Sequence, residues 1–240
     1  MLNRVGDMDE RPHFVLRTAA LLIAALLGMQ CVWLLAAELV RPGVDRLPTD
    51  PASAAAAAEH RDAAYWAASI GDVRGDLRAE SAFTNADLLW GNKGARGNEN
   101  ITGTLLNARA SLDHALNDSP HLSSAWLLLA GLVAGFPSLG LDALNLLKMS
   151  YYTGPSEQRV VPLRLRIAVH SDQFSDVEMR QFVGRDIHFL LAGKQKSAIA
   201  EAYNTASSAG KSFIEQTVKD IDPSALDAPH TGAKRQSLPD

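Results

Sequence analysis

Histidines and carboxylates are the residues from which a metal or catalytic site would be built, and in this chain they are scattered. None of the seven histidines belongs to an HExxH pair or has a cysteine partner, so the spacing typical of a zinc site is missing. Asp186 and His188, like His170 and Asp172, are two residues apart. On a helix such neighbours point away from each other. We therefore expect no metal site.

The usual nucleophiles are also missing from the sequence. There is no GxSxG elbow, and the single cysteine, Cys31, lies in a long apolar segment. Glu80, Asp87 and Glu99 can be paired as glycosidase-like carboxylates, but any acidic chain offers such sets. We expect a non-enzymatic protein with no catalytic residue and no cofactor.

The polar segment 91–103 reads GNKGARGNENITG. Its glycines, with Lys93 and Arg96, could cradle an anion through backbone N–H groups and two cations. Its spacing differs from the phosphate-loop motif and no strand precedes it. These features favour a surface loop.

Aromatic and basic residues cluster around the segment 149–158, MSYYTGPSEQ. Tyr151 and Tyr152 are adjacent, so they point to different sides of a helix end and at least one is expected to be exposed. The segment fits a helix C-terminus followed by glycine. It also fits part of a partner-binding groove, in which Tyr151, Tyr152, Arg159 and Arg164 would contact the partner.

Composition favours helices and argues against a nucleic-acid surface. The net charge is −4, and the basic residues are spread out rather than clustered on one face. Alanine and leucine are abundant while β-branched residues are sparse. At 240 residues the chain has room for one ordinary domain and an appendage.

The appendage is an apolar segment, Thr18 to Ala37, of twenty residues without a charge. As a helix it would be about 30 Å long, the thickness of a hydrocarbon core. A cleaved signal sequence and a buried soluble helix are the alternatives, but signal h-regions are shorter and this segment has no polar face. We predict a polar leader at 1–17 and a transmembrane helix at 18–40.

The flanking arginines set the predicted orientation. Arg4, Arg11 and Arg17 precede the segment, whereas only Arg41 and Arg46 follow it closely. This weak bias favours a cytoplasmic N-terminus. In a Gram-negative bacterium the protein would then cross the inner membrane once, with its C-terminal domain in the periplasm.

Beyond the apolar segment we predict a Pro/Ala-rich linker at 41–58, a helical domain at 59–221 and a disordered tail at 222–240. The prolines of the linker argue against regular structure, and the alanine run 54–58 is expected to begin the next helix. Predicted helices in the domain include 59–70, 72–90 and 156–169, the last starting late or kinking at Pro162. Trp66, Trp90 and Trp126 are predicted to face the core.

The central helices resemble tetratricopeptide repeats, helix pairs with an aromatic residue near the start and a closing proline. The resemblance covers about one and a half units, with Ala130 in place of the usual glycine and one inserted residue in the turn 136–140. A plain bundle of helical hairpins is the alternative. The matching positions are Pro120, Trp126, Leu129, Ala130, Ala143, Leu147, Ser150 and Pro155, with Ala108, Leu112 and Ala115 in the preceding unit.

The resemblance implies an all-α fold of antiparallel hairpins with a curved surface that binds peptides or proteins. The chain also resembles small anchored helical proteins associated with bacterial polysaccharide synthesis and export. The first hypothesis is therefore an adaptor that holds protein partners near the membrane, inserted in the bilayer through 18–40 and without nucleic-acid partners. The alternatives are an accessory subunit that packs through its anchor helix, and an enzyme acting on envelope glycan.

Overall fold

The computed structural model describes residues 10–44, 46–71, 74–90, 99–170 and 176–221, and all regular secondary structure in these ranges is helical. The all-α prediction is confirmed. Short 3-10 helices lie at Ala86–Leu89, Pro137–Leu139 and Gln158–Val160. The α-helices of the described ranges are α1 (Glu10–Val40), α2 (Pro51–Ala58), α3 (Arg61–Ile70), α4 (Gly75–Phe83), α5 (Glu99–Asp118), α6 (Ser123–Gly135), α7 (Ala143–Thr153), α8 (Val161–His170), α9 (Val177–Ala192), α10 (Lys196–Thr205) and α11 (Ser208–Ile221).

Helix α1 contains the apolar segment and begins upstream of it, within the predicted leader. Its stretch Val15–Val40, 26 residues, is long and apolar enough to cross a membrane. The most apolar window of that stretch is not buried inside the protein, so the alternative of a buried soluble helix is wrong. Length and composition fit both a membrane anchor and a signal sequence. The contacts of the last turns of α1 with the domain help to distinguish these two alternatives.

Helix α2 begins at Pro51, so the prediction that the prolines of 41–58 prevent regular structure is wrong there, and the helix expected to begin in the alanine run 54–58 begins earlier. Pro51 occupies the first turn, where its missing N–H costs no hydrogen bond. The Asp50 carboxylate caps the helix by accepting from the N–H groups of Ala52 (3.0 Å) and Ser53 (2.9 Å). Leu47 and Ala54 are buried in the main hydrophobic core, so this segment is packed into the domain.

Two features of α3 and α4 differ from the sequence prediction. The predicted helix 72–90 breaks after Phe83, because Thr84 and Asn85 donate side-chain hydrogen bonds to the Ser81 carbonyl (2.6 and 3.0 Å) and compete with the helix. Trp66 is 61% exposed, so the prediction that it faces the core is wrong. The buried face of α3 consists of small residues: Ala64, Ala67 and Ala68.

The middle of the chain packs in sequence order, with α4 on α5, α5 on α6 and α6 on α7. The positions that carry the tetratricopeptide resemblance are mostly buried, as helix packing requires. Those buried are Ala108, Leu112, Ala115, Leu129, Ala130, Leu147 and Ser150. Trp126 is half-buried, and its indole N–H donates to the Pro120 carbonyl (2.7 Å). The packing order fits helical hairpins, and their assignment as tetratricopeptide repeats stays a prediction.

The C-terminal helices depart from a simple linear order, since α8 packs against both α9 and α10. Helix α8 starts late, as one of the two alternatives predicted, with Pro162 in its first turn. Asp186, on α9, and Arg164, on α8, are buried polar exceptions in this otherwise apolar packing. The predicted tail, 222–240, lies outside the described residues.

Candidate functional site

The end of α1 is joined to the domain through α3 and α4. The indole N–H of Trp33 donates to the Ile70 carbonyl at the end of α3. One turn later on α1, Ala37 is fully buried against Ala68 and Leu77. Small residues at this crossing allow α1 and α3 to approach closely. The last turns of the apolar helix are thus part of the domain's packing.

A buried carboxylate strengthens this junction. Glu80, on α4, is 2% exposed and accepts hydrogen bonds from Arg41 Nε (2.6 Å) and the Val44 N–H (2.5 Å). Arg74 binds Glu38 (2.8 Å) and Asp76 (2.6 Å) beside it. The hydrogen bond from Arg74 lowers the pKa of Asp76. Glu80 therefore fixes the chain where it leaves α1, because a buried carboxylate is costly unless it is paired.

A surface groove of about 1050 Å³ lies between the 42–50 connection, α2 and the turn at 157–160. We call it the linker groove. Leu122 and Ser124, at the start of α6, also line it. The groove depends on the packed state of the connection, which the sequence prediction treated as a free linker.

The charged groups of the linker groove divide into bonded anions and unpaired cations. Asp50 caps α2, and hydrogen bonds from the Ser53 hydroxyl and N–H lower its pKa. Glu157 accepts a hydrogen bond from the Ser123 hydroxyl. Arg46 and Arg159 are exposed, and within the described part of the chain neither has an ion-pair partner. The groove therefore offers two available cations to a ligand.

A second polar group is buried among α7, α8 and α9. Arg164 is 1% exposed and lies over the Tyr151 ring, with its guanidinium carbon 4.4 Å from the ring centroid. Its Nη2 donates to the Ser150 carbonyl (2.9 Å) and hydroxyl (3.1 Å) and to the Gly154 carbonyl (3.2 Å). Arg164 thus holds the C-terminal turn of α7, where carbonyls lack intrahelical donors.

The Tyr151 hydroxyl continues this polar group to α9 by donating to Asp186 Oδ2 (2.8 Å). Burial raises the pKa of Asp186 from 3.8 to about 6, against the opposing effects of the Tyr151 hydrogen bond and of nearby Arg164 and Arg185. Burial also raises the pKa of Tyr151 well above its ordinary value. We infer a packing role for this group, since it has little access to solvent.

The raised pKa of Asp186 predicts a pH-dependent stability. The folded chain binds this proton more tightly than the unfolded chain, so the contribution to stability is present below pH 4 and is lost as pH rises through about 6. A shift of about two pKa units corresponds to about 3 kcal/mol. Asp186→Asn should therefore gain stability relative to the natural chain between pH 4 and pH 7, as measured by urea unfolding of the full chain in detergent.

Tyr151→Phe provides the comparison for this prediction. It removes the hydrogen bond that lowers the pKa of Asp186, so the pH dependence should move to higher pH while its sign stays the same. Parallel pH profiles for the natural chain and Asp186→Asn would contradict the assignment of the titration to this carboxyl.

The structure separates the four residues predicted to contact a partner. Tyr151 and Arg164 are buried, so their prediction as groove-lining contacts is corrected to a place in the core. Tyr152 is exposed, as expected for one of the two tyrosines, and donates to Glu178 (2.7 Å). Arg159 lines the linker groove. From the sequence, Arg46 was considered only as a charge flanking the apolar segment and Glu80 only as one of several unspecific carboxylates, so their places in the groove and the junction were not predicted.

The structure also locates Trp90 and the Asp186 and His188 pair, and it describes part of the glycine-rich segment. Trp90 is half-buried, with the Arg166 guanidinium 5.0 Å from its ring centroid. Asp186 is buried and His188 is exposed, so the two do not face one side of α9. Residues 91–98 of the glycine-rich segment lie outside the described residues, and 99–103 form the start of α5.

Among the residues that the structure describes, no group of three His, Cys, Asp or Glu side chains is placed to hold a metal ion. No protein-family model, curated protein or solved structure matches the chain. The junction and the linker groove are therefore the candidate functional sites of the described residues.

Proposed function

We propose that this protein is a membrane-anchored, non-enzymatic adaptor whose linker groove binds an acidic segment of a protein partner. The observation that carries the proposal is the pair of exposed arginines, Arg46 and Arg159, on one groove whose carboxylates are already bonded within the domain. Charge complementarity of this kind favours recognition of a segment rich in Asp and Glu.

The junction supports retention of α1 as an anchor. Cleavage after Ala37 would remove the Trp33 hydrogen bond and the buried Ala37 contact with the domain. A helix used only for targeting has no need of such contacts. The proposed topology is a single pass through the cytoplasmic membrane, with the domain on the periplasmic side as the flanking arginines favour.

A crosslinking experiment tests the adaptor function. His60, an exposed residue that lines the groove and is not one of its two arginines, is replaced by a photoreactive benzoylphenylalanine in the full chain, and membranes of the source organism are irradiated. We expect a crosslink to a partner peptide rich in Asp and Glu. Arg159→Glu should weaken it about tenfold, the effect of losing one favourable charge contact and adding a repulsive one.

Lys219→Glu is the matched control, since it makes the same charge change at an exposed site on α11 that does not line the groove. The crosslink should also survive Asp50→Asn and Glu157→Gln, because an adaptor needs no catalytic carboxylate. Equal loss with Arg159→Glu and Lys219→Glu would overturn the groove assignment. Crosslinking to glycan, with activity lost in either carboxylate variant, would favour the enzyme alternative.

A further inference from the structure

Helix α3 carries an exposed aromatic pair next to the membrane-crossing helix. Tyr65 and Trp66 are 58% and 61% exposed, and their rings meet edge to face with centroids 6.0 Å apart. Large exposed aromatic side chains in a domain with a well-packed core call for an explanation. Packing of α3 in the fold does not account for this pair, because the buried contacts of the helix are made by its alanines.

The contacts of α3 with α1 define the depth of this pair. If 18–37 spans the hydrocarbon, Trp33 lies about 6 Å before the end of the span. Ile70, at the end of α3, accepts a hydrogen bond from Trp33, and Ala68 packs on Ala37. The C-terminal end of α3 is therefore held at the edge of the hydrocarbon core.

Trp66 and Tyr65 are four and five residues from Ile70, about 6–8 Å along the helix. The interfacial zone on each side of the hydrocarbon is about 5–8 Å thick. Both rings are thus within reach of the lipid headgroups. Tyrosine and tryptophan are the residues enriched at this depth, because an apolar ring and a polar N–H or O–H suit the boundary between acyl chains and water.

We propose that Tyr65 and Trp66 form a second membrane contact, inserted in the interfacial zone of the bilayer that α1 crosses. This proposal rests on the proposed insertion of α1. The contact would fix the tilt of the domain against the membrane surface, because α1 and α3 then meet the bilayer at two points. The occupant is lipid, since α3, which carries the pair, packs on the end of α1, and the side chains of α1 are exposed from Val15 to Leu35.

Site-specific quenching tests the proposal. Trp66→Cys in a Cys31→Ser background is labelled with an environment-sensitive nitrobenzoxadiazole dye in the full chain. The protein is then reconstituted in vesicles of phosphatidylethanolamine and phosphatidylglycerol. We expect quenching by a shallow nitroxide lipid to be at least about twofold stronger than for Ala200→Cys, an exposed site on α10. Iodide in the aqueous phase should quench the two sites in the opposite order.

Two further samples keep the outcomes distinct. The natural chain, labelled at Cys31 in detergent before reconstitution, reports whether α1 is in the lipid. Lipid quenching at Cys31 but not at Trp66→Cys would overturn the second contact and leave the anchor intact, whereas its absence at both would overturn the anchor as well. Tyr65→Cys repeats the measurement if Trp66→Cys lacks the helical content of the natural chain. Protection from iodide without lipid quenching would assign the pair to a protein contact and overturn the proposal.

Discussion

Replacing Arg164 with methionine is expected to lower the free energy of unfolding by about 3 kcal/mol, because it removes a buried cation and its hydrogen bonds. Methionine keeps much of the length and apolar contact of the side chain. It cannot donate to the Ser150 and Gly154 carbonyls, which Arg164 bonds at 2.9 and 3.2 Å. It also leaves Arg185 as the remaining cation near the buried Asp186 carboxyl, so the pKa of that group should rise further.

Urea unfolding of the full chain in detergent measures this effect, followed by the fluorescence of the tryptophans in the domain. Arg159→Met is the matched control, because this arginine is exposed and its removal should change the free energy of unfolding by less than about 0.5 kcal/mol. Similar small losses in both variants would contradict the buried role of Arg164.

A second substitution tests whether Arg164 and Asp186 act together. If Arg164 stabilises the charged form of Asp186, adding Asp186→Asn should recover part of the stability lost in Arg164→Met at pH 7. Side chains in one polar group couple by about 0.5–3 kcal/mol. Strict additivity of the two changes would show that Arg164 acts only on the carbonyls of α7.

The sequence predicted those helices whose apolar spacing and proline positions are sufficient to define them. In α5, the stripe of Leu105, Ala108, Leu112 and Ala115 follows the period of an amphipathic helix, and all four are buried. Such a pattern predicts a helix with one buried face, and it does so without identifying the helix that covers that face. The late start of α8 at Val161 likewise follows from the fixed backbone of Pro162.

Helix α2 shows where residue type misled the prediction. Proline was treated as a breaker throughout 41–58, although it fits the first turn of a helix. The sequence contained the required signal, since Asp50 precedes Pro51 and can cap Ser53 three residues later. Whether a proline breaks a helix or begins one depends on its position relative to the N-cap residue.

The candidate sites depend on tertiary contacts that a single sequence does not encode locally. The periodicity of α3 permits more than one buried face. Its close approach to Ala37 selected the alanines and left Trp66 exposed. Arg164 was predicted as a partner contact because it follows the aromatic segment 149–158, whereas its hydrogen bonds go to the end of α7. Arg46 and Arg159 line the same groove only because the connection after α1 folds back on the domain.

Replacing Gly210 with alanine is expected to lower the free energy of unfolding by about 2–3 kcal/mol, because α11 would have to move away from the backbone of α8. A Cβ at this position would lie 2.3 Å from the Val169 carbonyl oxygen and 3.1 Å from the Val169 carbonyl carbon. That carbonyl also accepts the Ser207 N–H at 3.0 Å, so it cannot turn aside without losing a bond. Movement of α11 would expose Ile214 and Val218, which are now buried.

Gly184→Ala, on α9, is the matched control because the chemical change is identical and its new Cβ would meet nothing within 4 Å. Alanine is favoured over glycine inside a helix by about 0.8–1.0 kcal/mol, so this variant should become more stable. Urea unfolding should thus move in opposite directions for the two substitutions. A gain in stability for both would mean that α11 does not pack on α8 at this distance, since helix propensity alone would then determine the result. Opposite signs would locate the cost in the contact between Gly210 and Val169.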